Sequence, residues 1–421
     1  MRAPTAPRPD RSDERHEAPA TGVSDVDPAA ADDGRLAYHP GLTGLRALAV
    51  TAVVMTASGA QWLPGGRLVG LEMLFVLSGY LTVTMLTGSA GAPRPTPRRG
   101  AIARGVAVVG RRARRILPGL LTALGGASIL VLAARPDELA QLAPRIRATL
   151  LGIGNWQQIA TASEASPSVL DHLWPLAVGA QVTVPVIVVL AVITAPRGRA
   201  AVRLVAVVLG LSAVVAFAAG AQGPEVSPRV MYGTDTRAGG LLLGVALGLT
   251  VRAATTGELR GPYRRRLRVL GLLALLGLML IMLAGGGAAW IQGGGVLLVD
   301  LLAVLTVAAI VRGAPLDRTL DGAAVRWLGL RAYAIYLWHW PVLLALGGPD
   351  GVSGAGMTIV YLLAVAVVAD ATYRVVEVPL GATWHVPGAG RVARPAVAVA
   401  VAAIACGAAC AAALITPPPS G

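Results

Sequence analysis

The sequence predicts an all-α fold: a polytopic integral membrane helix bundle of roughly 10 or 11 spanning helices. Three observations predict it. The chain of 421 residues is 55% apolar and only 14% charged. Its apolar residues come in repeated runs of about 20, the length of helix that crosses a bilayer core. Those runs are continuous rather than alternating, which excludes a membrane β-barrel, because backbone in lipid must satisfy its own hydrogen bonds within a helix.

The spans follow in order at 43–60, 68–88, 116–134, 173–195, 204–221, 238–251, 269–288, 295–311, 327–346, 354–372 and 395–415. The third is entered through a basic cluster, "RRARR" at 111–115. The sixth is short and crosses fully only if its polar lead-in is buried. "GGGAAWIQGGG" separates the seventh from the eighth, and the ninth carries two tryptophans near one interface. Such tryptophans favour the membrane–water boundary.

Arginine decides the orientation. Every one of the 36 basic residues is arginine, and the net charge is +14. With the N-terminus inside, 23 arginines fall in cytoplasmic loops and 6 in outer ones. That asymmetry is the positive-inside pattern, expected of a multi-pass protein of the plasma (inner) membrane. A basic chain also raises the question of nucleic acid, but charge placed between spans is explained by orientation, so no nucleic-acid partner is expected. Composition further suggests a GC-rich, bacterial genome.

Three domains are expected: a disordered cytoplasmic tail at 1–40, a membrane domain at 41–380, and a terminal unit at 381–421 with a cytoplasmic loop, the last span and a short outer tail. The polar tail lacks the apolar core of a signal peptide. After the last span the sequence reads "ITPPPSG", and no soluble catalytic domain is expected there. Cys406 and Cys410 lie four apart on an apolar helix and read as buried small residues. No metal site is expected.

Two loops stand out. The outer segment 135–172 is long enough to be functional or a mobile connector. The cytoplasmic stretch that includes Arg111, Arg112, Arg114 and Arg115 suits anionic headgroups or the phosphates of a soluble cosubstrate.

Seven blocks in order resemble one family. They are "YHPGLTGLRALAV", "WLPGGRLVGLEMLFVLSGYL", "RRARRILPGLL", "DHLWPLAVGAQ", "YGTDTRAGGLLLG", "AYAIYLWHWPVL" and "YRVVEVPL", within about residues 38–380. Together they are similar to membrane acyltransferase family 3, whose members O-acylate sugars and other acceptors at the bacterial envelope. The resemblance implies acyl-CoA as cosubstrate, with no tightly bound cofactor. It places Arg46, with Arg111, Arg112, Arg114 and Arg115, on the coenzyme A phosphates. It implies an acceptor that is a glycan, lipid or secreted metabolite, met at an outer mouth that includes Trp174 and Gln181.

The same resemblance exposes departures. The family's first span carries a basic residue and, eleven positions on, a histidine acting as general base. Eleven steps of 100° return to within about 20° of the starting face, about 16 Å along the axis. In this chain Arg46 is followed at that spacing by Ala57, and the family's two glutamates in the fourth span stand as Gly179 and Ala180. Thr56 and Ser58 face about 100° away and are not bases at neutral pH. Glu72 keeps a carboxylate where the family often has aspartate. His172, at the outer mouth of the fourth span, is the candidate substitute base.

The other polar residues have expected roles. Glu72 is either catalytic or a carboxyl that holds helices together. Asp300 and Asp370 are expected to pair with arginines such as Arg331. Arg237 is expected to pair with Asp235, His339 to anchor the ninth span at the interface, and Tyr373, Arg374 and Glu377 to form a structural knot. Two functions are weighed: an acyltransferase, and a non-catalytic relative that binds a lipid or acyl ligand or scaffolds a partner. A transporter ranks last, because no internal repeat is visible.

Overall fold

A proline sets the first boundary. Pro40 occupies the opening turn of α1 (Pro40–Ala57), where its missing N–H costs nothing. The chain leaves α1 through Gly59, whose φ of +83° favours glycine. α2 (Gly66–Thr87) then runs back alongside it. This computed structural model describes residues 39–87, 98–162, 168–193, 227–253, 261–285, 294–312 and 320–381, with single positions at 204, 207–209, 211 and 290. The expected tail, most of the span at 204–221, and the span at 395–415 with both cysteines lie outside the described residues.

All regular structure among the described residues is helical. α3 covers Arg98–Ala134, α4 Leu139–Leu150, α5 Gly154–Ala160 and α6 Trp174–Ile193. α7 covers Gly239–Ala253, α8 Gly261–Ala284 and α9 Val296–Val311. α10 covers Ala323–Leu330, α11 Ala332–Ala345 and α12 Gly354–Thr372, the last running through a π-helical turn at Tyr373–Glu377. Six helices among the described residues are long and apolar enough to cross a membrane, and Gly239–Val251 and Val296–Val311 are shorter apolar helices. The chain is therefore a polytopic membrane helix bundle.

Three expected spans change shape, the seventh starting at Gly261 rather than 269. α3 begins at Arg98 rather than 116 and has 37 residues, about 55 Å of helix against a core of about 30 Å. Apolarity marked its membrane part, and the arginine-bearing start is helix that hydropathy alone does not register. The ninth span is broken at Arg331 into α10 and α11. There the guanidinium reaches Asp370 Oδ1 on α12 at 2.5 Å and lies between the Trp327 and Tyr373 rings, 4.5 and 4.6 Å from their centroids.

Glycine sets how closely the helices cross. A side chain at Gly79 would collide with the Leu241 carbonyl, and one at Gly244 with the Val76 carbonyl, so α2 and α7 touch backbone to backbone. Small residues at the crossing are how helices associate in lipid, where apolar burial gives no drive. Gly79 of the "FVLSGY" run thus has a packing role. Outward faces of α8 and α12 expose Leu273, Leu280, Leu363 and Val367, as a lipid-facing surface requires. We call the end of the bundle where α1 starts proximal, and the end where it finishes distal.

Candidate functional site

At the distal end five segments enclose a cavity of about 200 Å³. α1 supplies Val53 and Ala57, and α2 supplies Arg67 and Leu71. Each pair is spaced i, i+4, which puts both members on one helix face. The turn entering α6 brings Asp171, His172 and Trp174, the segment before α7 brings Tyr232, and α11 brings Tyr336, His339 and Trp340. Ala57 therefore faces this cavity, with two histidines among the residues around it.

Both imidazoles are held by backbone carbonyls. His172 Nε2 lies 3.0 Å from the Leu337 carbonyl, and His339 Nδ1 lies 2.6 Å from the Tyr336 carbonyl. A carbonyl only accepts, so those nitrogens carry the protons in the neutral rings, and the other nitrogen of each keeps a lone pair. His172 Nδ1 is buried and has no hydrogen-bond partner among the described residues. His339 Nε2 makes no hydrogen bond among them either and belongs to a side chain that lines the cavity. The two rings meet edge to face with centroids 5.2 Å apart. Tyr336 donates its hydroxyl proton to the His172 carbonyl, which ties α11 to the entry of α6.

His339 is thus not an interfacial anchor: it is 2% exposed and forms cavity wall. The flanking tryptophans suggested a membrane belt, but the i, i+3 spacing of Tyr336 and His339 was the signal for a shared inward face. Trp340 Nε1 donates to the Ser168 carbonyl at 2.9 Å rather than to a headgroup.

The cavity floor rests on buried charge. Trp174 packs edge to face on Tyr232, centroids 5.4 Å apart, and the Arg237 guanidinium carbon lies 5.6 Å from the Trp174 ring centroid. Arg237 Nη2 pairs with Glu72 Oε1 at 2.6 Å. The expected Arg237–Asp235 pair does not form: Asp235 pairs with Arg229 at 2.6 Å on the surface. Glycine lets a second carboxyl in, since a Cβ at Gly240 would sit 2.6 Å from Asp300 Oδ1 and 3.0 Å from Glu72 Oε2. Glu72, Asp300 and Arg237 are 0%, 1% and 2% exposed. Glu72 is therefore placed beneath the cavity as a helix-joining group, not among the residues lining it.

The described residues of segment 135–172 are folded and hydrogen-bonded rather than a bare connector. Arg145 of α4 pairs with Asp171 at 2.5 Å, and Glu138 accepts the Val169 N–H at 3.0 Å. Gln181 lies two turns into α6 and is consumed in a knot. Its Nε2 donates to the Gly152 carbonyl at 2.6 Å and to Asn155 at 2.9 Å, while its Oε1 accepts from Trp156 and Thr234. It braces α5 against α6 and is not among the cavity-lining residues.

At the proximal end the arginines do not act as one surface. Arg112 turns inward, donating to Ser78 at 2.8 Å and Thr82 at 3.2 Å on α2, whereas Arg111, Arg114 and Arg115 are exposed. Arg46 is half-buried on α1. Asp370 also pairs with Arg374 at 2.7 Å, so Tyr373 and Arg374 of the expected knot gather around Arg331, whereas Glu377 is not joined to them and lies near Gly119 of α3. No group of three or more His, Cys, Asp or Glu side chains among the described residues could hold a metal ion. Sequence reasoning missed His339, Tyr232, Tyr336 and Arg67, the last counted only as a loop charge.

Comparison with known proteins agrees with this architecture. The family model described as an acyltransferase domain matches residues 39–374. YrhL of Bacillus subtilis, whose name gives it provisionally as a peptidoglycan O-acetyltransferase, is 30% identical over 358 residues, covering 82% of this chain and 55% of its own length. The O-acetyltransferase OatA of Staphylococcus aureus is 27% identical over 358 residues, with 82% and 57% covered. The chain therefore spans little more than half the length of these relatives. No solved structure matches it.

Proposed function

Since this chain belongs to acyltransferase family 3, we propose that it is a membrane O-acyltransferase whose hydroxyl acceptor is activated in the distal cavity by His339. The observation that carries this reading is that Ala57 faces a cavity already holding two neutral-tautomer imidazoles. The base is thus present, carried on α11 instead of α1.

In this reading the donor is acyl-CoA. Arg46 and the exposed Arg111, Arg114 and Arg115 of α3 hold its phosphates at the proximal end, taken as cytoplasmic, and the thiol arm reaches through the bundle. Arg46 and Ala57 are separated by about 16 Å of helix, the distance that arm has to bridge. His339 Nε2 accepts the acceptor's hydroxyl proton as that oxygen attacks the thioester carbonyl. The C–S bond breaks, coenzyme A leaves as thiolate, and the proton returns to it as thiol. Arginine suits the phosphate end because its planar fork matches phosphate oxygens. The acceptor is a glycan, lipid or secreted metabolite of the envelope, and the names of the relatives favour a glycan.

The test is thiol release from acetyl-CoA by the full chain in lipid nanodiscs supplied with a glycan acceptor. His339→Gln should lower the rate by about 10²–10⁴-fold, the usual worth of a general base, while thermal unfolding shows that the variant is folded. His172→Gln should cost less, because its lone pair is enclosed. Ala57→His should raise turnover if the α1 position still addresses the same acceptor. An unchanged rate in His339→Gln removes the proposed base. The alternative, a ligand-binding or scaffolding relative, is favoured if wild-type protein releases no thiol yet binds acyl-CoA.

A further inference from the structure

The polar groups lining the distal cavity divide into those already committed to the protein and those left open. Asp171 is spent on Arg145 at 2.5 Å and on the Ser168 N–H at 2.7 Å. Trp340 and Tyr336 donate to the carbonyls of Ser168 and His172. What remains is His339 Nε2, the Tyr232 hydroxyl, the Trp174 indole N–H and the guanidinium of Arg67, with the enclosed His172 Nδ1 behind them. Arg67 lines the cavity, is exposed, and forms no ion pair or hydrogen bond among the described residues. It shares the cavity wall with Tyr232, Tyr336 and His339. With Asp171 neutralised by Arg145, Arg67 is the lining charge without a counter-ion among the described residues.

A guanidinium beside a base has a chemical meaning. Its planar fork takes a carboxylate by two parallel hydrogen bonds, and charge-assisted bonds of that kind are the strong ones. The cavity holds the equivalent of roughly six or seven waters, room for the reacting part of one sugar ring with a small substituent. We propose that Arg67 is a specificity residue: it selects an acceptor sugar that bears a carboxylate close to the hydroxyl presented to His339. The proposal deepens the transferase reading and rests on it for the word acceptor, but the contact itself is a binding event that needs no donor.

The test is therefore binding without acyl-CoA. The full chain in phosphatidylcholine nanodiscs is titrated by calorimetry with digalacturonate and with its methyl ester, which removes the charge and adds a methyl group at each carboxyl. Wild type should bind the acid about tenfold tighter than the ester, the usual order for a hydrogen bond to a charged group, and the preference should shrink with salt. Arg67→Gln should bring the ratio to about one. Arg67→Lys should keep part of it, because charge remains and the fork is lost, and Arg67→Glu should reverse it. Inorganic phosphate serves as a further arm. Weak competition by phosphate supports a carboxylate sugar, whereas binding of phosphate tighter than the acid overturns the proposal in favour of a phosphorylated ligand. Equal binding of acid and ester by wild type, no binding of the acid, or a preference that survives Arg67→Gln also overturns it. Absence of thiol release in the transferase assay would sink the enzymatic reading alone, leaving this charge preference to be judged by itself.

Discussion

Arg237 and Arg331 are both guanidiniums held inside the helix bundle, each facing a carboxylate and an aromatic ring, yet their charge ratios are opposite. Arg237 pairs with Glu72, a second carboxyl side chain, Asp300, lies against that same Glu72, and all three are nearly inaccessible. At the helix break, one carboxylate, Asp370, serves two guanidiniums, Arg331 and Arg374. There the surplus charge has an outlet, since the Arg374 side chain is 67% exposed and that of Asp370 26%. The difference teaches what each cluster is for. A surplus cation next to solvent or headgroups is cheap and fastens α12 to a helix break. One guanidinium balances one carboxylate, so the surplus acid sealed in this cluster is carried as a hydrogen-bonding partner of Glu72, and the cluster fixes the floor of the cavity.

Substitutions can break this comparison, beginning with the largest effect. Arg237→Ala leaves two buried carboxyls without their cation and should cost about 3–5 kcal/mol, read as a large fall in the unfolding temperature of the purified protein in detergent. Arg331→Ala should cost less, about 1–2 kcal/mol from lost stacking and hydrogen bonding, because Asp370 keeps Arg374. Asp370→Asn should lower the unfolding temperature less again, since the two guanidiniums it releases are partly solvated. Asp300→Asn should have the smallest effect, unchanged or slightly stabilised, because it removes one acid and leaves the Glu72–Arg237 pair whole. If Asp300→Asn proves as damaging as Arg237→Ala, the two clusters are not mirror images and the second carboxyl is required in its own right.

Much of the fold was legible in the chain. Apolar runs placed α1, α2, α6, α7, α9 and α12 close to their observed limits, because length and hydropathy are what a bilayer selects. Arginine beyond the hydropathic stretch hid the start of α3, and a single interior arginine hid the break at Arg331. Of the site, His172 and Trp174 were legible as candidates, and the structure places them in one cavity with Ala57. Pairing was less legible. Asp235 lies two residues from Arg237, and local spacing favoured that partner over Glu72, more than 160 positions earlier in the chain. His339 was misplaced for a similar reason, because its tryptophan neighbours resemble a membrane belt until helix α11 is seen to turn them inward.

The sequence by itself determined that this is a multi-pass helical membrane protein of an acyltransferase family, because span length, apolarity and ordered motifs are properties of the chain read one segment at a time. Only the tertiary structure decided that an imidazole from α11 shares the cavity faced by the alanine of α1, and that Arg67 stands beside it. Those are distances between segments far apart in the chain, set by glycine crossings and buried ion pairs that no local pattern encodes.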